Sequence, residues 1–278
     1  MRLGGPLFDQ ITDADSWVAS IKAHGYSAAY CPIGPEADDA TVRDYRNAAR
    51  ENNIVIAEVG AWSNPISPNE EERKTAIQKC QDLLAHADRM EALCCVNIAG
   101  SRSNKWDGPA ADNLSPETFD LIVETTRTII DTVNPVNTFY TLEMMPWIFP
   151  DSPTSYLRLI EAIDRPQCAV HLDPVNIVNS PSRFFDTGRL ISRCFELLGP
   201  YIKSCHGKDI VMSQNLTVHL DETRPGLGGL DYAVFLKELD KLSPDIPLML
   251  EHLPTEEEYR LAAEYIRSVA GENQITIY

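Results

Sequence analysis

Eight short apolar runs punctuate the chain: Leu3–Phe8, Ser27–Cys31, Ile54–Val59, Ala92–Ile98, Thr138–Glu143, Cys168–Asp173, Ile202–His206 and Pro247–Glu251. Each has the length of a strand and is too short for a buried helix. Segments of helical period separate them: Asp13–His24, Asp39–Asn52, Asn69–Ala87, Ser115–Val133, Ser152–Ile163, Phe185–Leu198, Tyr232–Leu242 and Thr255–Val269. Several open on helix-start chemistry. Ser115-Pro116-Glu117 reads as a cap with proline at the first helical position, and Glu70-Glu71-Glu72 suits the positive end of a helix dipole.

Strands separated by helices pair in parallel, and eight such units predict closure into an α/β fold, a single (β/α)8 barrel spanning residues 1–278. An open doubly wound sheet would usually carry a glycine-rich turn after an early strand, and neither GxGxxG nor GxxxxGK[ST] occurs. Val211–Gly229 is loop-rich and follows the seventh strand, at the face where barrels place their active sites. The tail Gln274–Tyr278 carries no helical pattern.

Composition narrows the partners. The 278 residues hold 24 Lys+Arg against 41 Asp+Glu, a net charge of −17. Nucleic-acid backbone and anionic membrane surface both need excess basic residues, so a small molecule is the expected partner. No run approaches the roughly 18 apolar residues of a membrane span, and the N-terminus lacks an apolar signal segment. The seven cysteines include no CxxC pair and mostly fall in apolar runs. Reduced core thiols and a cytoplasmic location are therefore expected.

The candidate chemistry lies at the ends of the last four strand runs, which close on Leu142-Glu143, Leu172-Asp173, Cys205-His206 and Leu250-Glu251. A buried run has no reason to end in a charge unless the charge has a partner. Three carboxylates converging without a cation would repel one another, and a divalent ion removes that conflict. One imidazole with three carboxylates suits Mn²⁺, Mg²⁺, Co²⁺ or Zn²⁺.

With these residues in view, the chain resembles the xylose isomerase-like TIM barrel superfamily, in its sugar phosphate isomerase/epimerase branch of ketose 3-epimerases and inosose dehydratase-like proteins. The matching motifs are Leu142-Glu143, His171-Leu172-Asp173, Cys205-His206-Gly207-Lys208-Asp209, Pro225-Gly226-Leu227-Gly228 and Leu250-Glu251-His252. The resemblance implies that Glu143, Asp173, His206 and Glu251 bind one divalent metal and that Glu143 and Glu251 double as acid and base. Asn176 and Met212 stand where ketose 3-epimerases usually carry histidine and arginine, and Lys208-Asp209 is closer to the inosose dehydratase-like group.

The implied activity is sugar isomerisation or epimerisation, by proton abstraction next to a carbonyl through a metal-stabilised enediolate. Dehydration of a polyhydroxylated keto compound, a lyase reaction, is the alternative, because it shares the first step. Substrate-binding candidates are His171, Lys208, Arg224, Trp62 and Asn97, with Glu58, Trp106 and Trp147 as further wall residues. Lys208 is read either as a contact to a substrate oxyanion or phosphate, or as a salt bridge to Asp209. Endonuclease IV-type proteins share the barrel, but six histidines and a charge of −17 argue against a multi-metal DNA-repair enzyme. A metal-binding sensor is the non-catalytic alternative. Family members often form dimers or tetramers, which makes a homo-oligomer the associated expectation.

Overall fold

Each apolar run contributes a strand in the computed structural model, which describes all 278 residues. The strands are β1 (Arg2–Gly4), β2 (Ala28–Tyr30), β3 (Val55–Gly60), β4 (Cys94–Asn97), β5 (Phe139–Glu143), β6 (Cys168–Leu172) and β7 (Ile202–Gly207), then the hairpin strands β8 (Asp209–Met212) and β9 (Leu220–Thr223), and β10 (Pro247–Leu250). All but β8 and β9 close a parallel barrel in the order β1-β10-β7-β6-β5-β4-β3-β2. This is the (β/α)8 TIM barrel expected from the alternation of strands and helices.

Around it lie α1 (Ala14–Ala23), α2 (Asp39–Glu51), α3 (Glu70–Met90), α4 (Pro116–Val133), α5 (Pro153–Ile163), α6 (Pro181–Phe184), α7 (Thr187–Leu198), α8 (Tyr232–Asp240) and α9 (Glu256–Glu272). Local chemistry starts them where the polar caps stand. Asn69 accepts from the amides of Glu71 and Glu72 at 3.0 and 3.2 Å, and Ser115 accepts from Thr118 N at 3.1 Å. Each such cap contributes about 1 kcal/mol.

The main apolar core fills the layer between strands and helices, from Leu3 and Trp17 through Leu142 and Phe235 to Ile266. A separate small cluster of Ala28, Ala57 and Met249, with Tyr30 packed on it, is apolar without joining that layer. Strand alternation therefore sends Leu142 and Leu172 to the core layer, and Glu143 and Asp173 to the opposite face. Two register shifts adjust this phase. One lies between Ala29 and Tyr30 against β3, where Tyr30 pairs with Glu58 and Ala57 is skipped. The other lies between Val170 and His171 against β7, where Ser204 is paired and Lys203 is skipped. An extra residue of this kind turns the side chains beyond it to the other face.

Three expectations change in detail. The first strand is Arg2–Gly4, shorter than Leu3–Phe8, because Pro6 cannot donate to a ladder. The helix expected from Phe185 begins at Thr187, after the separate turn α6. The interval expected as a loop, Val211–Gly229, contributes to an antiparallel hairpin in which Asp209 pairs with Thr223 and Met212 with Leu220. The tail returns to the barrel, where Tyr278 N donates to Met1 O at 3.1 Å. All seven cysteines are free, and all but Cys31 are buried.

Candidate metal centre at the barrel mouth

Four neighbouring strands, β10, β7, β6 and β5, bring Glu251, His206, Asp173 and Glu143 together, with one donor atom of each within 4.8 Å of the others. His206 Nδ1 stands 3.0 Å from Glu251 Oε1, 3.3 Å from Glu143 Oε1 and 3.8 Å from Asp173 Oδ2. All four residues are buried or nearly so. These are the four strand-end residues singled out from the sequence, and the fold places them side by side.

Each is held by its own neighbours. Asp173 turns Oδ1 back to the amides of Val175 and Asn176, at 3.0 and 3.3 Å, which leaves Oδ2 facing the cluster. Asn176 donates its amide to Glu143 Oε1 at 2.9 Å and to Met144 O at 3.0 Å. The Tyr156 hydroxyl bridges β5 and β6, accepting from Leu142 N and His171 N at 3.1 and 3.2 Å. The strands bearing Glu143 and Asp173 are thus tied together by a side chain from α5.

On the opposite edge of the His206 ring stands Glu58, whose Oε1 is 3.3 Å from Nε2. Its other oxygen is 2.9 Å from His171 Nε2, and the two imidazoles meet edge to face at 4.1 Å. Neither contact is an aligned hydrogen bond, so Glu58 acts on the two rings through its charge, which favours a proton on the Nε2 side of His206 and leaves Nδ1 facing the three carboxylates. Glu58 and His171 therefore lie beneath the cluster, and neither lines the cavity above it.

Lys208 is almost fully buried, and its Nζ lies 2.7 Å from Asp173 Oδ2, 2.8 Å from Glu251 Oε1 and 3.1 Å from Glu222 Oε1. The salt bridge to Asp209 considered from the sequence does not form. Asp209 instead accepts backbone amides from Ile210, Gly226, Gly228 and Leu230. Glu222, on the hairpin strand β9, carries no strand-end signature and is brought to the site only by the fold. Its Oε2 is 2.9 Å from His252 Nδ1.

Opposing terms govern these charges. Burial pushes the Glu143 carboxyl above its usual range despite the nearby His206. Burial also disfavours the Glu251 carboxylate, but His206 and Lys208 outweigh it and hold the group below its ordinary value. The same contest, with His171 and His206 as the cations, brings Glu58 down to about 2. Burial would lower His206, yet Glu251, Glu58 and Glu143 raise it well above an ordinary imidazole. A set of carboxylates that draws a proton onto His206 will equally attract a metal cation, with release of that proton.

The donor chemistry fits a divalent ion. Asp173 Oδ2 and Glu251 Oε1 are buried and accept no aligned hydrogen bond, although both face the ammonium of Lys208. One imidazole nitrogen and three carboxylate oxygens form a hard, mostly oxygen ligand set.

Above the cluster opens a cavity of about 1170 Å³ with Glu143, His206, Lys208 and Glu251 in its wall. Trp62, Trp106 and Trp147 line it as well. Trp147 is anchored by its indole N–H to Asp107 O at 2.9 Å. Trp62 folds back over Gly60, where an added Cβ would stand 2.4 Å from the indole nitrogen. Asn97 and Arg224, expected as substrate contacts, are elsewhere. Asn97 faces α3, accepting from Ser63 N at 3.0 Å and donating to Cys80 Sγ at 3.3 Å. Arg224 pairs with Glu258 at 2.8 Å and is not part of the cavity wall.

A family model described as xylose isomerase-like TIM barrel matches residues 18–269. No curated protein matches the chain by sequence. Among solved structures, a probable 3-DHS dehydratase from Bacillus anthracis is 19% identical with a TM-score of 0.69, covering 94% of each chain. D-psicose 3-epimerase from Clostridium cellulolyticum is 15% identical with a TM-score of 0.68, covering 99% of this chain and 100% of that one. Endonuclease IV from Thermus thermophilus is 13% identical with a TM-score of 0.72, covering 98% of this chain and 100% of that one. At these identities the likeness is one of fold. It spans both sugar and DNA chemistry, so the reaction has to be argued from the site.

Proposed function

The chain belongs to the xylose isomerase-like TIM barrel family, and from that premise we propose that it is a divalent-metal-dependent sugar isomerase or epimerase. The observation that carries this reading is the convergence of Glu143, Asp173, His206 and Glu251 within 4.8 Å at the foot of a tryptophan-lined cavity. Those four residues would hold the ion. When bound, a divalent cation supplies Lewis acidity, polarising a carbonyl and stabilising the negative charge that develops when the adjacent carbon loses a proton.

The chain's own residues do the proton work. Glu251 and Glu143 are the outermost members of the four-strand run, flanking His206 and Asp173. One carboxylate removes the proton beside the carbonyl and the other returns one. Return to the opposite face of the same carbon gives epimerisation, and return to the neighbouring carbon gives isomerisation. Asn176 orients Glu143 through its 2.9 Å hydrogen bond, and Lys208 holds Glu251 at 2.8 Å. Trp62, Trp106 and Trp147 supply apolar faces for the C–H side of a sugar and reduce its contact with water.

Dehydration is the second reading, favoured by the Glu222–His252 pair in the cavity wall. Glu222 raises the affinity of His252 for a proton, and a protonated imidazole there would assist departure of a β-hydroxyl. The charge of −17 argues against a nucleic-acid substrate despite the fold shared with endonuclease IV.

Deuterium wash-in from D₂O into a panel of ketoses and inososes, with Mn²⁺ supplied, tests the reading. Wild-type protein should exchange the proton beside the carbonyl of at least one member, and Glu251→Gln should abolish exchange while the barrel stays folded. Unchanged exchange in the variant removes Glu251 as the base. No exchange across the panel removes the proposed reaction.

A further inference from the structure

Lys208 follows the last residue of β7 directly, and the backbone on both sides of it is pinned. Its carbonyl accepts from the Tyr232 hydroxyl at 2.7 Å, and Asp209, the next residue, accepts amides from Gly226, Gly228 and Leu230. The side chain runs inward from this fixed point and is almost fully buried. Its ammonium ends 2.7 Å from Asp173 Oδ2 and 2.8 Å from Glu251 Oε1. Those two oxygens also face His206 Nδ1, at 3.8 and 3.0 Å, so they belong to the donor set that would hold an ion. Two further partners of the ammonium, Glu222 Oε1 at 3.1 Å and Asn176 Oδ1 at 3.0 Å, lie outside that set.

A buried ammonium in this position does two opposing things. Three converging carboxylates repel one another, and a buried carboxylate without a cation is costly, so Lys208 favours the assembled cluster. A positive charge a few ångströms from a divalent ion repels it strongly where water is excluded, so the same group opposes loading. A lysine on the surface would do neither, because solvent and salt screen it. Glu222 offsets part of the ammonium's charge from β9 and so acts on the centre through Lys208.

Resting on the metal-dependent reading above, we propose that Lys208 is a resident counter-ion of this centre. It competes with the divalent ion for Asp173 and Glu251, sets how tightly the ion is held, and keeps the ligands assembled before the ion arrives. Glu222 tunes that competition from outside the ligand set.

The test is calorimetric titration of Mn²⁺ into the full chain stripped with a chelator, with thermal unfolding followed by circular dichroism. Lys208→Met keeps the length of the stem and removes the charge. It should bind Mn²⁺ about tenfold more tightly than the wild type, melt lower when stripped, and gain more melting temperature from saturating Mn²⁺. Glu222→Gln should do the opposite, weakening Mn²⁺ about threefold alone and changing it less than about twofold in the Lys208→Met background. A folded Lys208→Met that binds no more tightly than the wild type overturns the proposal and leaves the metal-dependent reading standing. If the stripped variant is unfolded, Mn²⁺ should fold it, and a chain that stays unfolded with the ion also overturns the proposal. Equal effects of Glu222→Gln in both backgrounds remove the tuning role. Binding by Lys208→Met alone, with none by the wild type, upholds the competition and removes the metal-dependent reaction. Binding by neither chain removes both.

Discussion

Glu58 stands under His206, its Oε1 3.3 Å from Nε2, on the edge of the ring opposite the three carboxylates that face Nδ1. One imidazole thus links a fully buried carboxylate to the open cluster. The contact is one of charge and not an aligned hydrogen bond, and the buried carboxylate favours the form of His206 with its proton on Nε2, which leaves the Nδ1 lone pair for a cation. Glu58→Gln should weaken Mn²⁺ binding by about 10- to 100-fold while the circular dichroism spectrum is preserved. Calorimetric titration of the metal reads this directly, and an unchanged affinity would remove that role.

Asp209 joins the start of the β8–β9 hairpin to the glycine turn and the residue after it through the amides of Gly226, Gly228 and Leu230, and is itself buried. Asp209→Ala leaves those donors without their acceptor and should cost about 3 kcal/mol of unfolding free energy, measured by denaturant titration. Inorganic phosphate should recover part of the loss in the variant and none in the wild type. A variant as stable as the wild type would contradict the pinning role.

The indole of Trp62 lies so close to Gly60 that a side chain there has to displace it. Gly60→Val is expected to weaken sugar binding about tenfold, or ~1.4 kcal/mol, with little effect on Mn²⁺ affinity. Parallel sugar and metal titrations separate displacement of a wall from damage to the floor, and loss of both affinities would reject the assignment.

Acid sensitivity should appear at His86, away from the candidate metal centre. Burial lowers its proton affinity from the ordinary imidazole value of 6.5, and its Nε2 lies 2.9 Å from Ile33 O. The unfolded chain therefore binds this proton more readily than the folded one. The contribution of neutral His86 to stability is complete above pH 6.5 and is lost as pH falls toward the depressed folded value. Denaturation midpoints should drop between pH 7.5 and 5.5, and His86→Gln should flatten that slope. An identical slope in the variant would exclude His86 as its source.

Much of the site was legible because strand ends on a barrel share one face. A charge that closes an apolar run, as at Glu143, Asp173, His206 and Glu251, is visible without coordinates. Trp62 and Lys208 were legible in the same way, as residues soon after a strand end. Asn97 misled because it also ends a strand, yet its side chain is on the core side with Cys80 of α3. Alternation alone does not assign the face when registers shift, and such shifts precede both Glu58 and His206. Glu222 lay beyond local inference, since a hairpin carries it across to Lys208.

Local pattern was sufficient for the eight strand–helix units, their parallel closure and the four polar strand ends, because apolar periodicity, caps and breakers act over a few residues. Tertiary structure decided which partners those ends acquired. It placed Glu58 beneath His206, committed Lys208 to three carboxylates, filled the glycine turn with Asp209, and set Arg224 against Glu258. The physical reason is that charge pairing depends on distances of a few ångströms between residues far apart in the chain, and only register, hairpin geometry and strand order set those distances.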